Sequence, residues 1–311
     1  MSQPIVVGFD GSERSRDALV LARELASVLD SDLIVVDAYT PEEWLWSWGT
    51  APLRAEEELR EIHAAADAAL AGCERYEFRS AASPSAAGAL QAIAEDEDAS
   101  MIVVGSSRHG AAGRVLLGTV TQATLDAAPC PVLVAPAGWA DAAPVRLARV
   151  GVGFDDTPEA HTALEVAHGL AAHTGGSLEI VWAAHLVARA LPHAFAGYLE
   201  PNYFEKIRRD VRERLDRAAA RVRGDVPVRA ELASGDTVDV LVDRSAHVDL
   251  LVLGSRGYGP LRRVLLGSVS SAVVNKAHCP VLVIGRVRRP SDGAGAVSAD
   301  AERAPAHAGS G

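Results

Sequence analysis

Two stretches place glycines, small hydroxyl residues and arginines where a phosphate chain can be held. The first is GSSRHGAAGRVLLGT, residues 105–119, and the second is GSRGYGPLRRVLLGS, residues 254–268. Each follows an apolar run and leads into a segment that starts polar, so each reads as a loop from a strand end to a helix start. Backbone N–H groups in such a loop, with the helix dipole behind them, favour an anion, most often phosphate. In the second stretch Gly254 and Gly257 permit positive φ and close backbone approach, with no Cβ to intrude on a ligand. Ser268 is placed to serve as N-cap and phosphate donor, and Val269 and Ser270 add first-turn amides. The first stretch keeps Gly105, Gly118 and Thr119, but Arg108 stands where Gly257 stands in the second. Neither loop is GxxxxGK[ST], nor GxGxxG after a first strand.

An aspartate accompanies each loop. IVVGFDGS (5–12) matches VGVGFDDT (150–157), so Gly8 and Asp10 answer to Gly153 and Asp155, 145 residues on. The stretch 103–134 matches 252–283, with Gly105 and Gly254 separated by 149. A period this long is a tandem domain duplication rather than a solenoid. The expected organisation is a first domain over 1–137, a linker over 138–148, a second domain over 149–289 and a tail over 290–311. The tail lacks apolar periodicity and is expected to be disordered.

The elements that position the loops alternate between strand and helix. In the first copy strands are expected over 5–9, 33–38, 76–80, 101–105 and 131–135. Helices are expected from Ser12 as N-cap to about Leu29, over about 52–71, from Ser83-Pro84 with proline in the first turn, and over 119–128. Near-continuous Val/Ile/Leu runs mark strands covered on both faces, hence a mostly parallel sheet with right-handed crossovers. The fold class is α/β: two tandem doubly wound domains, each with a five-stranded, Rossmann-like sheet. The loops then lie at the carboxyl edge of each sheet, where ligands collect. The apolar, uncharged closing strands PVLVA and PVLVI are expected to pair the two copies as a pseudo-dimer.

Gly254, two residues, Gly257, nine residues, Gly267 and then Ser268, with Asp155 after the first strand and a CPVLV closing strand, resembles the universal stress protein family in its tandem-domain, ATP-binding form. The resemblance covers about 280 of the 311 residues. It implies the adenine nucleotide alpha hydrolase-like variety of the fold, with ATP and Mg2+ as ligand. It implies that Asp155 and Asp10 contact the adenosine end, and that Ala183 and Ala38 meet adenine through backbone. Gly254, Ser255, Arg256, Gly257, Tyr258 and Gly259 would wrap ribose and phosphates, with Arg263 adding charge. Gly267, Ser268, Val269 and Ser270 would close around the triphosphate. The first-copy matches are Gly105, Ser106, Ser107, Arg108, Gly110, Gly118, Thr119 and Val120. Arg108 leaves two readings there, a weakened site or a decayed one, and the second site is expected to bind ATP more tightly than the first. The family also implies a homodimer through the closing strands.

Other residues carry chemistry less securely. Asp10 and Asp155 also suit Asx-turns before a helix, which is compatible with ligand contact. Trp44, Trp46 and Trp48 flank a base, form a partner surface or pack over a domain edge. His161, Glu165 and His168 have metal-compatible helical spacing but lack a fourth ligand, and a solvated helix face is the favoured reading. His109 lacks a carboxylate partner in sequence for general-base work.

A net charge of −11, without an evident basic stripe, argues against a nucleic-acid partner. No apolar run approaches the ~20 residues of a membrane span, and the N-terminus has no secretory pattern, so a cytoplasmic location is expected. Three cysteines without a CxxC pair argue against a disulfide framework; Cys130 and Cys279 read as buried, inert thiols. Without a P-loop lysine or a paired base, a non-catalytic ATP-binding regulatory module is favoured over two alternatives: a slow ATPase or phosphotransfer enzyme, and a nucleotide-free interaction protein.

Overall fold

The computed structural model describes residues 3–39, 51–106, 117–142, 147–184, 203–255 and 267–285. The elements of the first half are β1 (Ile5–Gly8), α1 (Glu13–Leu29), β2 (Leu33–Tyr39), α2 (Ala51–Ala69), β3 (Tyr76–Ala82), α3 (Ala86–Asp96), β4 (Met101–Gly105), α4 (Thr119–Ala127) and β5 (Val132–Ala135). A single 3-10 turn (Trp139–Asp141) follows. The second half repeats the order: β6 (Arg149–Gly153), α5 (Pro158–Thr174), β7 (Ser177–Ala184), α6 (Tyr203–Arg221), β8 (Val228–Ser234), α7 (Thr237–Ser245), β9 (Leu250–Gly254), α8 (Ser268–Val274) and β10 (Val281–Ile284).

The strands form one ten-stranded sheet in the order β3-β2-β1-β4-β5-β10-β9-β6-β7-β8. Every pairing within a half is parallel, and the halves meet where β5 and β10 pair antiparallel, Leu133 opposite Leu282. Both closing strands thus have neighbours on both sides, β4 and β10 for one, β5 and β9 for the other. This corrects the expectation of a homodimer through these strands: their hydrogen bonds are already used within one chain.

Alternate strand residues feed two cores. Ile5, Val7, Leu33 and Val35 pack against α1 and α2, and Val150, Val152, Leu178 and Ile180 against α5 and α6. Val6, Ile34, Ile102 and Val104 face α3 and α4, and Val181, Leu251 and Leu253 face α7 and α8. Burial on both faces is why these strands read as unbroken apolar runs rather than alternating ones. Within each half the strand order reverses between the first and fourth strands, and this opens a crevice at the carboxyl edge.

Two expected helix starts are corrected. Ser85, not Ser83, caps α3, its side chain accepting from the Gly88 amide at 3.1 Å, so Pro84 precedes the helix. Ser268 is the first residue of α8 rather than its cap; the caps of α4 and α8 are Gly118 and Gly267, which make no side-chain cap bond. Ser12 does cap α1, accepting from the Ser15 amide.

Cys279 is buried and Cys130 partly so, and burial pushes both thiols up to about 12, which keeps them protonated and unreactive. One helix departs from the acidic whole: α6 carries seven of the thirty cationic residues. Asp210, Glu213 and Asp216 are interleaved among them, and the pairs Arg212–Asp216 and Arg214–Asp210 disguise the excess in the sequence.

Candidate functional site

Each half carries one cavity at its crevice. The first, about 490 Å3, is lined by Gly8, Asp10, Ala38, Gly105, Ser106, Gly118, Thr119 and Val120 of the residues singled out from sequence. The second, about 280 Å3, is lined by Gly153, Asp155, Ala183, Gly254, Ser255, Gly267, Val269 and Ser270. Ser268 is not among the lining residues. Ser107, Arg108, His109, Gly110, Arg256, Gly257, Tyr258, Gly259 and Arg263, like the three tryptophans at 44, 46 and 48, lie outside the described residues.

The turns after β1 and β6 set the aspartates. Asp10 Oδ1 accepts from the Ser12 amide at 3.0 Å, and Asp155 Oδ1 accepts from the Thr157 amide at 3.3 Å and from its hydroxyl at 2.6 Å. Both are therefore Asx-turn residues at a cavity wall. The next residue adopts left-handed backbone in each half: Gly11 at φ +77°, and Asp156 at +63°. Asp156 takes hydrogen bonds or ion pairs from His161 at 2.9 Å and Arg214 at 3.4 Å.

Gly105 and Gly254 need to be glycine for a reason other than the one read from sequence. Neither has positive φ. A Cβ on Gly105 would lie 2.2 Å from the Arg14 carbonyl oxygen, and one on Gly254 would lie 2.9 Å from the Glu159 carbonyl carbon. The missing side chain thus lets helix backbone press against the strand end at the cavity wall. The Ser270 hydroxyl donates to the Gly254 carbonyl at 2.9 Å, as that of Thr121 does to Gly105 at 2.8 Å. These hydroxyls anchor the helices.

The first intrahelical bonds come from Gln122 to Gly118 and from Ser271 to Gly267, so the amides before them have no intrahelical acceptor. Uncapped helix starts at a crevice favour an anion. Ser106 adds a donor: it is 5% exposed, lines the first cavity, and its Oγ has no hydrogen-bond partner among the described residues. Ala38 and Ala183 line the cavities near the ends of β2 and β7, each paired on one side with β3 or β8.

Sequence reasoning missed Arg14 in the first cavity and Glu159 in the second, together with Leu90 and Leu241 on their floors. The 145-residue repeat that aligned the aspartates aligns Arg14 with Glu159 too. Among the described residues no group of three or more His, Cys, Asp or Glu is placed to hold a metal. His161, from the helical His/Glu/His spacing, instead meets Asp156 and sits edge-on to Phe154 at 5.0 Å. Among the described residues no helix is long and apolar enough to cross a membrane.

A hollow of about 530 Å3 at the opposite edge of the second half is lined by Arg149, Arg229 and Arg244. Each is ion-paired, with Asp249, Glu231 or Glu179, so it offers an anion little net charge.

Comparison with known proteins decides the family. The model described as "Universal stress protein family" matches residues 1–136 and 147–285. The chain belongs to this family. Universal stress protein Rv2005c from Mycobacterium tuberculosis is 31% identical over 299 residues, covering 91% of this chain and 99% of its own. A universal stress protein from Mycolicibacterium smegmatis is 30% identical, covering 90% and 96%. The crystal structure of a universal stress protein from Archaeoglobus fulgidus has a TM-score of 0.64 at 21% identity, covering 92% of this chain and 99% of its own. That last likeness speaks to the fold: two universal stress protein domains in tandem.

Proposed function

We propose that this universal stress protein is a non-catalytic ATP-binding regulator, whose nucleotide state sets its conformation or its protein partners during a stress response. The observation that carries the proposal is the buried Ser106 hydroxyl, without a partner among the described residues, in a cavity walled by an Asx-turn aspartate and an uncapped helix start. Adenine would lie against the backbone at Ala38 or Ala183, ribose near Asp10 or Asp155, and phosphates at Gly118–Thr119 or Gly267–Val269. Mg2+ would arrive on the phosphates. The described cavity residues supply neither a lysine nor a histidine, so holding the phosphates is the chemistry they suit. A cytoplasmic location and a homodimer belong to this reading, with the dimer contact on a surface other than the paired closing strands. Equilibrium titration with ATP tests the proposal: saturable binding lost in Thr119→Trp combined with Val269→Trp supports it, and no binding at millimolar ATP defeats it.

A further inference from the structure

The two cavities are built alike but charged differently. Arg14, the second residue of α1, lines the first; Glu159, the second residue of α5, lines the other. Their backbones occupy equivalent places, each pressed against the glycine that ends the fourth strand of its half. The ionisable groups among the described lining residues are Asp10 and Arg14 in the first cavity, Asp155 and Glu159 in the second.

Helix stability explains Glu159 but not Arg14. An acidic side chain in a first turn complements the helix dipole, whereas a cation there opposes it. Arg14 makes a long contact of 3.5 Å to Asp17, with its side chain 22% exposed. The Asp17 carboxylate is already served by the amides of Gly138 and Ala140, each at 2.9 Å. A guanidinium has five N–H donors, and this contact uses one. Arg14 is thus a cation with donors to spare at the wall of a cavity.

The Ser106 hydroxyl is an independent second sign. Buried polar atoms without a partner are uncommon, and this one lines the same cavity as Arg14. The nine-residue helix α4 begins there with no side-chain cap. Cation, hydroxyl donor and helix start together suit a phosphate group.

We infer that the first cavity is the tighter polyphosphate site, with Arg14 selecting for charge, and that Glu159 biases the second cavity toward adenine ligands of lower negative charge. This rests on the nucleotide reading above and reverses the ranking drawn from Gly257 and Arg108. Among the described lining residues the formal charges of Asp10 and Arg14 cancel in the first cavity, whereas Asp155 and Glu159 both add negative charge to the second.

Calorimetric titration of the full chain with ATP, and separately with adenosine, tests the inference. Arg14→Glu should weaken the tight ATP site by about tenfold or more and Arg14→Gln by less, both with adenosine affinity unchanged. Glu159→Arg should tighten the weaker ATP site about tenfold. ATP affinity within twofold of wild type in Arg14→Glu, or an equal loss for adenosine, overturns the inference and leaves the nucleotide reading standing. A wild-type chain that binds neither ligand overturns both.

Discussion

Replacing Ser106 by alanine should stabilise the free protein and weaken its hold on nucleotide, a pair of opposite effects that a purely structural serine would not produce. In the free protein the Ser106 hydroxyl is buried without a partner among the described residues. An unsatisfied buried polar group costs about 1–3 kcal/mol, and alanine removes it at the expense of a void one oxygen atom in size. Its amide bond to the Ala135 carbonyl, 3.1 Å, involves only backbone and is kept. A net gain of about 1 kcal/mol corresponds to a melting temperature higher by about 1–2 °C for a chain of this length. In the proposed nucleotide complex the same hydroxyl would donate to a phosphate oxygen. A hydrogen bond to a charged group contributes about 1.5–3 kcal/mol, so affinity should fall about 10- to 100-fold. Thermal melts with and without ATP, together with calorimetry, read both effects. A lower melting temperature in the free variant, with ATP affinity unchanged, would refute the assignment of this hydroxyl to a ligand.

Gly105→Ala should cost about 1–3 kcal/mol through overpacking, and more than Gly254→Ala, because its Cβ would lie 2.2 Å rather than 2.9 Å from helix backbone; urea denaturation measures both. Leu282→Ala, fully buried where the halves meet, should cost about 2–5 kcal/mol in the same assay. Asp37 is half-buried, and burial with Asp10 and Glu58 nearby pushes its carboxyl up against the pull of His63. A raised folded-state pKa favours the fold at low pH, and that advantage is lost as pH rises through it. Asp37→Asn should therefore raise the melting temperature at pH 7, with the gain vanishing below about pH 4. Steady-state phosphate release should stay below the ~1 s⁻¹ low end of typical turnover; a faster rate abolished by Ser106→Ala would make the protein an enzyme.

The fold was legible because its strands are buried on both faces, and runs such as IVV, LIVV, MIVV and LLVL admit little else. The duplication was legible because turn and closing-strand residues are shared between halves while helix surfaces differ. Helix starts were less so: Ser83, Ser85, Gly267 and Ser268 are all acceptable caps by residue type, and only backbone dihedrals choose among them. Gly254 was singled out partly for a positive φ that it does not have, and the contact that excludes a Cβ there is with helix backbone, which loop composition does not reveal. Arg14 was missed because a lone arginine in a first turn looks like a solvated helix face. It enters the cavity wall only once α1 is packed against β4.

Adenine-nucleotide binding is tested most directly by denaturing freshly purified protein and measuring the released small molecules by mass spectrometry. Near-stoichiometric adenine nucleotide, depleted in the Arg14→Glu and Ser106→Ala variants, is the predicted result. A chain that carries no nucleotide, and acquires none after incubation with millimolar ATP, contradicts it.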